Sequence, residues 1–512
     1  MKGEIRRWLS ATLGVVLAVS LTACQPTRTQ MPEPPPSPSP TFPSPGPAPD
    51  ERRPFTLPLD PQGTWDPYVG SRSTNMTVAP LVFDSLYELD ASFEPQPLLA
   101  QGGWQGEDGL SWRVTLKSGV TFSNGAALDA ASVCAALNAA RGEKSLYASR
   151  LANVQRVTAE GESTVVFQLK EPNRDFLALL DIPVARVEKD GVYGTGRYVV
   201  DGERLVAREN SWRESADIPR EIPLKSIGAA DELIAAFDSE MLGLAASDPT
   251  GADALGFSGS YQTWEYPTST MLYLGFHCGS GICQNPQVRA ALSRAVDRGG
   301  LVSEVLGGHA SIAALPVPPS SRRYDSALAR EVSYDLTAAT EELDALGYSV
   351  GEDGVRRSGK RPLELTLLVN SDNQFKEKLG AAIAKDLEKA GFQVTVTALP
   401  WEEYKKALNS GKFDLYLGEC RLTGDLDLTA FFTAGSGLCY GGAADRELAA
   451  ALSAARATGE WDEFYTLYTQ RPPFMTLCFK TGAVLTQWGQ VSGLRPTQGN
   501  LFYQFEHWTF AD

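Results

Sequence analysis

Between residues 363 and 417 the chain alternates repeatedly between strand and helix patterns, and this alternation limits its fold. Leu363–Val369 is an apolar run of strand length, and Phe375–Ala390 is an amphipathic helical stretch. Phe392–Leu399 returns to a strand pattern, Trp401–Leu408 is helical, and Phe413–Leu417 is again a strand. A β-α-β-α-β run predicts a mainly parallel sheet with helices on its faces. Ligand sites in such α/β sheets tend to lie at the carboxyl ends of the strands. The chain has 512 residues, enough for about three domain-sized units.

Other segments carry the same kind of signal. Trp112–Lys117 places apolar side chains on alternate residues, the strand period. Asn124-Gly125 marks a turn, and Asp129 suits the N-cap of a helix through Val133, Leu137 and Ala140. Val154–Val157 and Thr164–Leu169 read as two strands of a hairpin turning at Glu160-Gly161-Glu162. Val288, Ala291, Leu292, Ala295 and Val296 recur at helical spacing.

Composition removes several function classes. Lys and Arg total 46 and Asp and Glu 62, a net charge of −16. Nucleic acid and anionic membrane faces demand a basic surplus, so neither is an expected partner. Gly256-Phe257-Ser258-Gly259-Ser260 ends on the wrong residue for a nucleophile elbow, and no H-E-x-x-H or phosphate-binding P-loop occurs. Gly194-Thr195-Gly196 lacks the third glycine of a dinucleotide site and leads into a strand pattern, Arg197–Val200. The chain is therefore expected to be no enzyme and to carry no cofactor.

The N-terminus stands apart. Lys2, Arg6 and Arg7 precede a short apolar run, Leu9–Leu21, which reads as a signal peptide over residues 1–23 rather than a membrane span. Leu21-Thr22-Ala23-Cys24 resembles the bacterial lipobox, which implies that Cys24 becomes the lipidated first residue of an exported chain. Of residues 26–49, 11 of 24 are proline. Proline fixes φ and removes the amide donor, so residues 24–50 read as an extended tether. At about 3.1 Å per residue it could reach roughly 75 Å. The expected location is the outer face of the cytoplasmic membrane, held by the lipid on Cys24.

Several further segments, in order, resemble the family 5 extracellular solute-binding proteins. They are Leu81–Leu89 with Glu94–Ala100, the stretch Gly109–Gly125 containing Gly119-Val120-Thr121-Phe122-Ser123-Asn124-Gly125, and Leu128–Val133. Gly194–Tyr198 and Gly275-Phe276 with Val288–Arg298 (VRAALSRAVDR) complete the set. The resemblance implies an α/β, two-lobed periplasmic-binding-protein-like clamp with a hinge between the lobes. Lobe I would comprise 51–270 and 480–512, with an inserted subdomain at about 76–189, and lobe II would be 271–479. It implies capture of a small solute, above all a peptide, and delivery by a monomer to ABC permease subunits. Nickel chelates or other non-peptide solutes, and a sensor lipoprotein without transport, are the alternatives.

The resemblance also nominates site residues. Peptide-binding members hold the ligand ammonium with an Asp, and that position falls on Leu422 or next to it in Gly418–Asp427. The anchor is then sought in Glu419, Asp425 or Asp427, or in Arg421 gripping a carboxylate with its planar fork, the alternative being that Arg421 is a solvated or lobe-bridging residue. Arg72, Ser73, Thr74 and Asn75 form a polar segment where members line the site. Glu265–Thr270 lies at the crossing between lobes, with Glu265 and Thr268 as its candidates, and Trp401 and Tyr404 could stack on a ligand, though core packing explains an aromatic equally well.

Six cysteines follow Cys24: 134, 278, 283, 420, 439 and 478. In an exported protein disulfides are permitted. Nearness in sequence suggests Cys278–Cys283 and Cys420–Cys439, with Cys134 and Cys478 as buried thiols. A metal site from His277, Cys278 and Cys283 is the rival reading, though with three histidines in the chain no metal is expected.

Overall fold

The computed structural model describes residues 53–69, 74–213, 217–252, 254 and 256–511. The signal peptide, Cys24 and the proline tether lie outside these residues. Within them, no helix is long and apolar enough to cross a membrane.

The alternating segment forms as its periodicity demands. Glu364–Asn370, Gln393–Leu399 and Leu415–Arg421 are strands, joined by the helices Gln374–Lys389 and Trp401–Asn409. The first strand pairs in parallel with each of the other two. Successive side chains take opposite faces. Leu365, Leu367 and Val369 enter one apolar cluster with Leu379, Ile383 and Leu387 of the first helix. Leu368 and Tyr416 enter a second, aromatic-rich cluster on the other face. Each fully buried leucine or isoleucine there contributes about 1.5–3 kcal/mol.

The full sheet has seven strands and is mixed rather than mainly parallel. Two long strands, Tyr261–Phe276 and Phe474–Gln487, run antiparallel to each other beside Leu415–Arg421. Leu244–Ser247 and Ala310–Ile312 add to Phe474–Gln487, also antiparallel. The alternating pattern specified three parallel strands. It carried no information about the 14- and 16-residue strands that extend the sheet beyond them.

Those long strands leave one core and enter another. Their Met271–Phe276 and Phe474–Phe479 ends lie with the two clusters of residues 271–479. Their other ends, with Ala483 and Leu485, join Ile227, Phe237 and Leu242. The largest cluster gathers residues 55–224 with the C-terminal Leu501, Phe502, Phe505 and Trp508. The front and the tail of the chain therefore share one core, and two strands carry the chain between it and the other.

Within the front half, a four-stranded antiparallel sheet is built from Ala100–Gln105, Ser111–Leu116, Val154–Glu160 and Thr164–Leu169. Gly125 turns the chain at φ +84°. Asp129 then caps the helix Ala130–Ala140, its carboxylate accepting from the Ser132 amide while the Ser132 hydroxyl accepts from the Asp129 amide. Such a reciprocal cap contributes about 0.5–2 kcal/mol.

Candidate functional site

A pocket of about 250 Å³ lies where the long strands cross between the two cores. Its walls include Asp248, Tyr266, Thr268, Thr270, Arg421, Lys480 and Gln498. Strand pairing sets this group. Thr270 stands opposite Arg421, and Tyr266 opposite Gly482 two residues past Lys480. The Thr268 hydroxyl donates to the Lys480 carbonyl at 2.7 Å and accepts from the Thr270 amide at 3.1 Å. Arg421 Nη2 donates to the Gln498 carbonyl at 3.3 Å.

Charge in and beside the pocket is ordered. Lys480, 3% exposed, meets Asp248 at 2.6 Å and Glu419 at 3.5 Å. Glu419 also meets Lys376 at 2.9 Å. Burial works to raise the Glu419 carboxyl, but the two lysines outweigh it and hold it below the usual range. The lining itself carries one carboxylate, Asp248, against two cations, Arg421 and Lys480.

The other acidic candidates belong to a different structure. Asp425 is 3% exposed and takes Arg456 at 2.8 Å and Asn173 at 2.9 Å on the same oxygen, with the Thr423 hydroxyl at 2.6 Å on the other. Asp427 takes Arg456 at 2.9 Å and the Thr429 amide at 2.8 Å. Burial pushes the Asp427 carboxyl up, with Arg456 opposing. This cluster is where the front half of the chain docks on the second half. Arg174 donates its amide to the Arg456 carbonyl at 2.8 Å, and its guanidinium reaches Thr458. Asp175 meets Arg323 at 3.4 Å. Gly424 lies so close to the Ala178 carbonyl that a Cβ would sit 2.2 Å from it. Phe93, held at φ +63°, is buried in the aromatic cluster of the second half.

Among the nominated residues, Arg421 and Thr268 line the pocket and Glu419 stands behind it on Lys480. Arg72 and Ser73 lie outside the described residues, as does the Thr74 side chain; the Thr74 backbone opens the helix Thr74–Val78. Asn75 is 1% exposed, and its amide is spent on Asp60, accepting from its N–H at 2.8 Å and donating to its carbonyl at 3.1 Å. Glu265 pairs with His309 at 2.7 Å. Tyr404 is buried and donates its hydroxyl to the Leu417 carbonyl at 2.8 Å. Trp401 is 48% exposed and stacks on Tyr404 with ring centroids 6.0 Å apart. Neither ring is among the pocket's lining residues, so the aromatic reading gives way to core packing for Tyr404. Leu422 is 4% exposed within the aromatic cluster.

Asp248, Lys480 and Gln498 were not nominated from sequence, whereas Tyr266 and Thr270 fall within the nominated segment Glu265–Thr270. One signal was available: Lys480 is a lone charge in the otherwise uncharged run Phe474–Val484. A charge placed there must be paired to be buried.

The nominated disulfides do not form: Cys134, Cys278, Cys283, Cys420, Cys439 and Cys478 are all free. The turn Gly279–Gly281 sends Cys283 inward to a 3₁₀ turn in the core. Cys278 stays at the strand end, its thiol 3.6 Å from the Phe276 carbonyl. Cys420 is fixed in its strand opposite Met271, whereas Cys439 lies in the loop beyond the helix Thr429–Phe432. Burial pushes the Cys278 and Cys420 thiols up to about 11, so both are poor nucleophiles at neutral pH. Among the described residues no group of three His, Cys, Asp or Glu side chains converges as metal ligands would.

Comparison with known proteins agrees with this architecture. The family model "Bacterial extracellular solute-binding proteins, family 5 Middle" matches residues 94–437. Protein XP55 of Streptomyces lividans is 28% identical over 369 residues, 68% of this chain and 66% of its own length. The glutathione-binding protein GsiB of Escherichia coli K12 is 24% identical over 392 residues, 71% of this chain and 74% of its own. Among solved structures, the open, unliganded periplasmic murein tripeptide-binding protein MppA superposes with a TM-score of 0.71 at 18% identity, covering 90% of this chain and 98% of that one. A nickel ABC transporter structure from Bacillus halodurans gives 0.70 at 19% identity, covering 87% and 97%. Both structures share the two-lobed α/β fold. With the family model matching well over half of its length, the chain belongs to the family 5 bacterial extracellular solute-binding proteins.

Proposed function

We propose that this protein captures a small solute, a peptide in the first instance, outside the cytoplasmic membrane and delivers it to the permease of an ABC importer. The reading rests on family membership and on relatives named for glutathione and a murein tripeptide. It assigns no catalytic role to any residue.

One observation directs how the ligand is held. The position that the resemblance matches to the ammonium-binding Asp falls on the buried Leu422 or next to it, and the neighbouring carboxylates Glu419, Asp425 and Asp427 each pair with lysine or arginine. Arg421 lines the pocket at the crossing, beside Thr270 and Gln498. The ligand is then gripped by a carboxylate on Arg421 rather than by its ammonium. A planar guanidinium receives a carboxylate through two parallel hydrogen bonds. At about 250 Å³ the pocket suits the end of a peptide rather than the whole of one.

Native mass spectrometry of the purified protein tests this. An adduct lost on denaturation gives the ligand mass, and a ladder spaced by amino-acid residues identifies a peptide receptor. A single non-peptide mass would instead favour a chelate or another solute. For the anchor, Arg421→Ala retaining the parent's affinity for that ligand would remove Arg421 from the site.

We also infer that Cys24 carries lipid and that residues 24–50 tether the body to the membrane. Cys24→Ser should release the protein from the membrane fraction and abolish incorporation of labelled palmitate. Continued anchoring of that variant would refute the inference.

A further inference from the structure

A second cavity, of about 700 Å³, lies wholly within the second half of the chain. It opens between the helices Pro286–Ala295, Leu336–Ala345 and Asp462–Gln470. Its walls are mixed: Ala290, Ala314, Val332, Leu346, Pro472 and Met475 supply apolar surface, and Gln287, Ser293, Thr469 and Gln470 polar surface. Two arginines also line it. Arg294 is matched by Glu342 at 3.3 Å, which also lines the cavity.

Arg298 is not matched in this way. It is 3% exposed, yet among the described residues it makes no ion pair with a carboxylate. Its Nε donates to the Thr476 carbonyl at 2.7 Å and its Nη1 to the Ser293 carbonyl at 2.8 Å. Nη2 has no hydrogen-bond partner there. The adjacent Asp297 is turned away, its carboxylate accepting from the Gly300 amide at 3.0 Å to cap a helical turn. Burial lowers the Arg298 guanidinium to about 10, which leaves it charged at neutral pH. A buried cation with no counter-charge is costly, and proteins normally pair it. Here the missing partner would have to come from the cavity that Arg298 lines.

We propose that this cavity binds a small organic anion, a carboxylate or phosphate monoester on an apolar body, with Arg298 holding the acid group and the apolar surface holding the rest. The volume falls within the range of small-molecule sites. This site is separate from the Arg421 pocket and shares none of its lining residues.

Calorimetric titration of the purified full-length protein with phenyl phosphate and with benzoate tests it, with benzyl alcohol as the neutral control. Saturable binding of either acid, at least tenfold tighter than the alcohol, is expected. Ala345→Trp, an exposed substitution at the cavity mouth, should weaken that binding at least tenfold, as should Arg298→Met. Arg421→Ala should leave it unchanged. Arg298→Met removes a buried group and can fail to fold, so Ala345→Trp, checked by circular dichroism, carries the decision. Binding of neither acid, equal binding of the alcohol, undiminished binding by Ala345→Trp, or loss on Arg421→Ala would each overturn the proposal. Only the last would point back to the pocket between the cores.

Discussion

Arg421 and Asp425 are four residues apart, and both follow from the same strand end, yet the structure uses them in opposite ways. Asp425 is enclosed, with Arg456, Asn173 and Thr423 on its two oxygens. Arg421 borders a pocket with polar walls. The first arrangement consumes a charge to join two halves of the molecule. The second sets a charge in a pocket wall. Position in a family pattern cannot separate these uses, because both residues lie where a ligand anchor is expected. Their places in the fold do separate them: Asp425 lies in the contact between the two halves, and Arg421 on a pocket wall.

The sharpest way to break that contrast is Asp425→Ala. It leaves the partly buried Arg456 with Asp427 as its carboxylate and strips Asn173 of its acceptor. Removing one partner of a buried pair costs about 3–5 kcal/mol, most of it from the charge left behind. Chemical denaturation should show a loss of that order, and Asp425→Ala with Arg456→Met should recover part of it. If Asp425→Ala unfolded like the parent and instead lost ligand, Asp425 would belong to the pocket and the contrast would collapse.

Arg421→Ala is the mirror experiment, with a smaller energy. The side chain is exposed, and surface changes of this kind shift stability by about 0.5 kcal/mol or less. Ligand affinity should fall at least tenfold, equivalent to about 1.4 kcal/mol. A stability loss without an affinity loss would make Arg421 a second clamp residue.

How much of this was legible in the sequence depends on distance along the chain. Elements specified by local periodicity were legible: the hairpin at 154–169, the Asp129 cap, and the parallel strands around the helix Gln374–Lys389. The mixed character of the sheet was not, because Tyr261–Phe276 pairs with residues some two hundred positions away. The site divides in the same way. Arg421 and Thr268 could be nominated from the family pattern. Lys480, Asp248 and Gln498 come from three distant segments that only strand register and the returning tail bring together. The cysteines show the reverse error: Cys278 and Cys283 are near in sequence, but the turn between them sends one into the core.

Tyr404→Phe checks the aromatic side of the comparison. The hydroxyl is buried and donates to the Leu417 carbonyl. Its removal should cost about 1 kcal/mol of stability and leave ligand affinity unchanged. An affinity loss without a stability loss would return Tyr404 to the site.

The finest test concerns Glu419, which stands between the two arrangements: it is paired like Asp425 but backs onto the pocket through Lys480. Lys376 and Lys480 hold its carboxyl below the value it has in the unfolded chain. A depressed carboxylate contributes stability above its unfolded pKa, and the contribution is lost as pH falls through the folded value. The parent should therefore be more stable than Glu419→Gln at pH 7. That difference should hold down to about pH 4.5, near the ordinary glutamate value, and then shrink on further acidification. Thermal melts of both proteins from pH 7 to pH 3 would trace it. A difference that grew with acid would mean that Glu419 is held protonated, and that Lys480 directs its charge into the pocket instead of at Glu419. The cleft would then carry a second cation for ligand, and the contrast between clamp and pocket would have to be redrawn one residue further along.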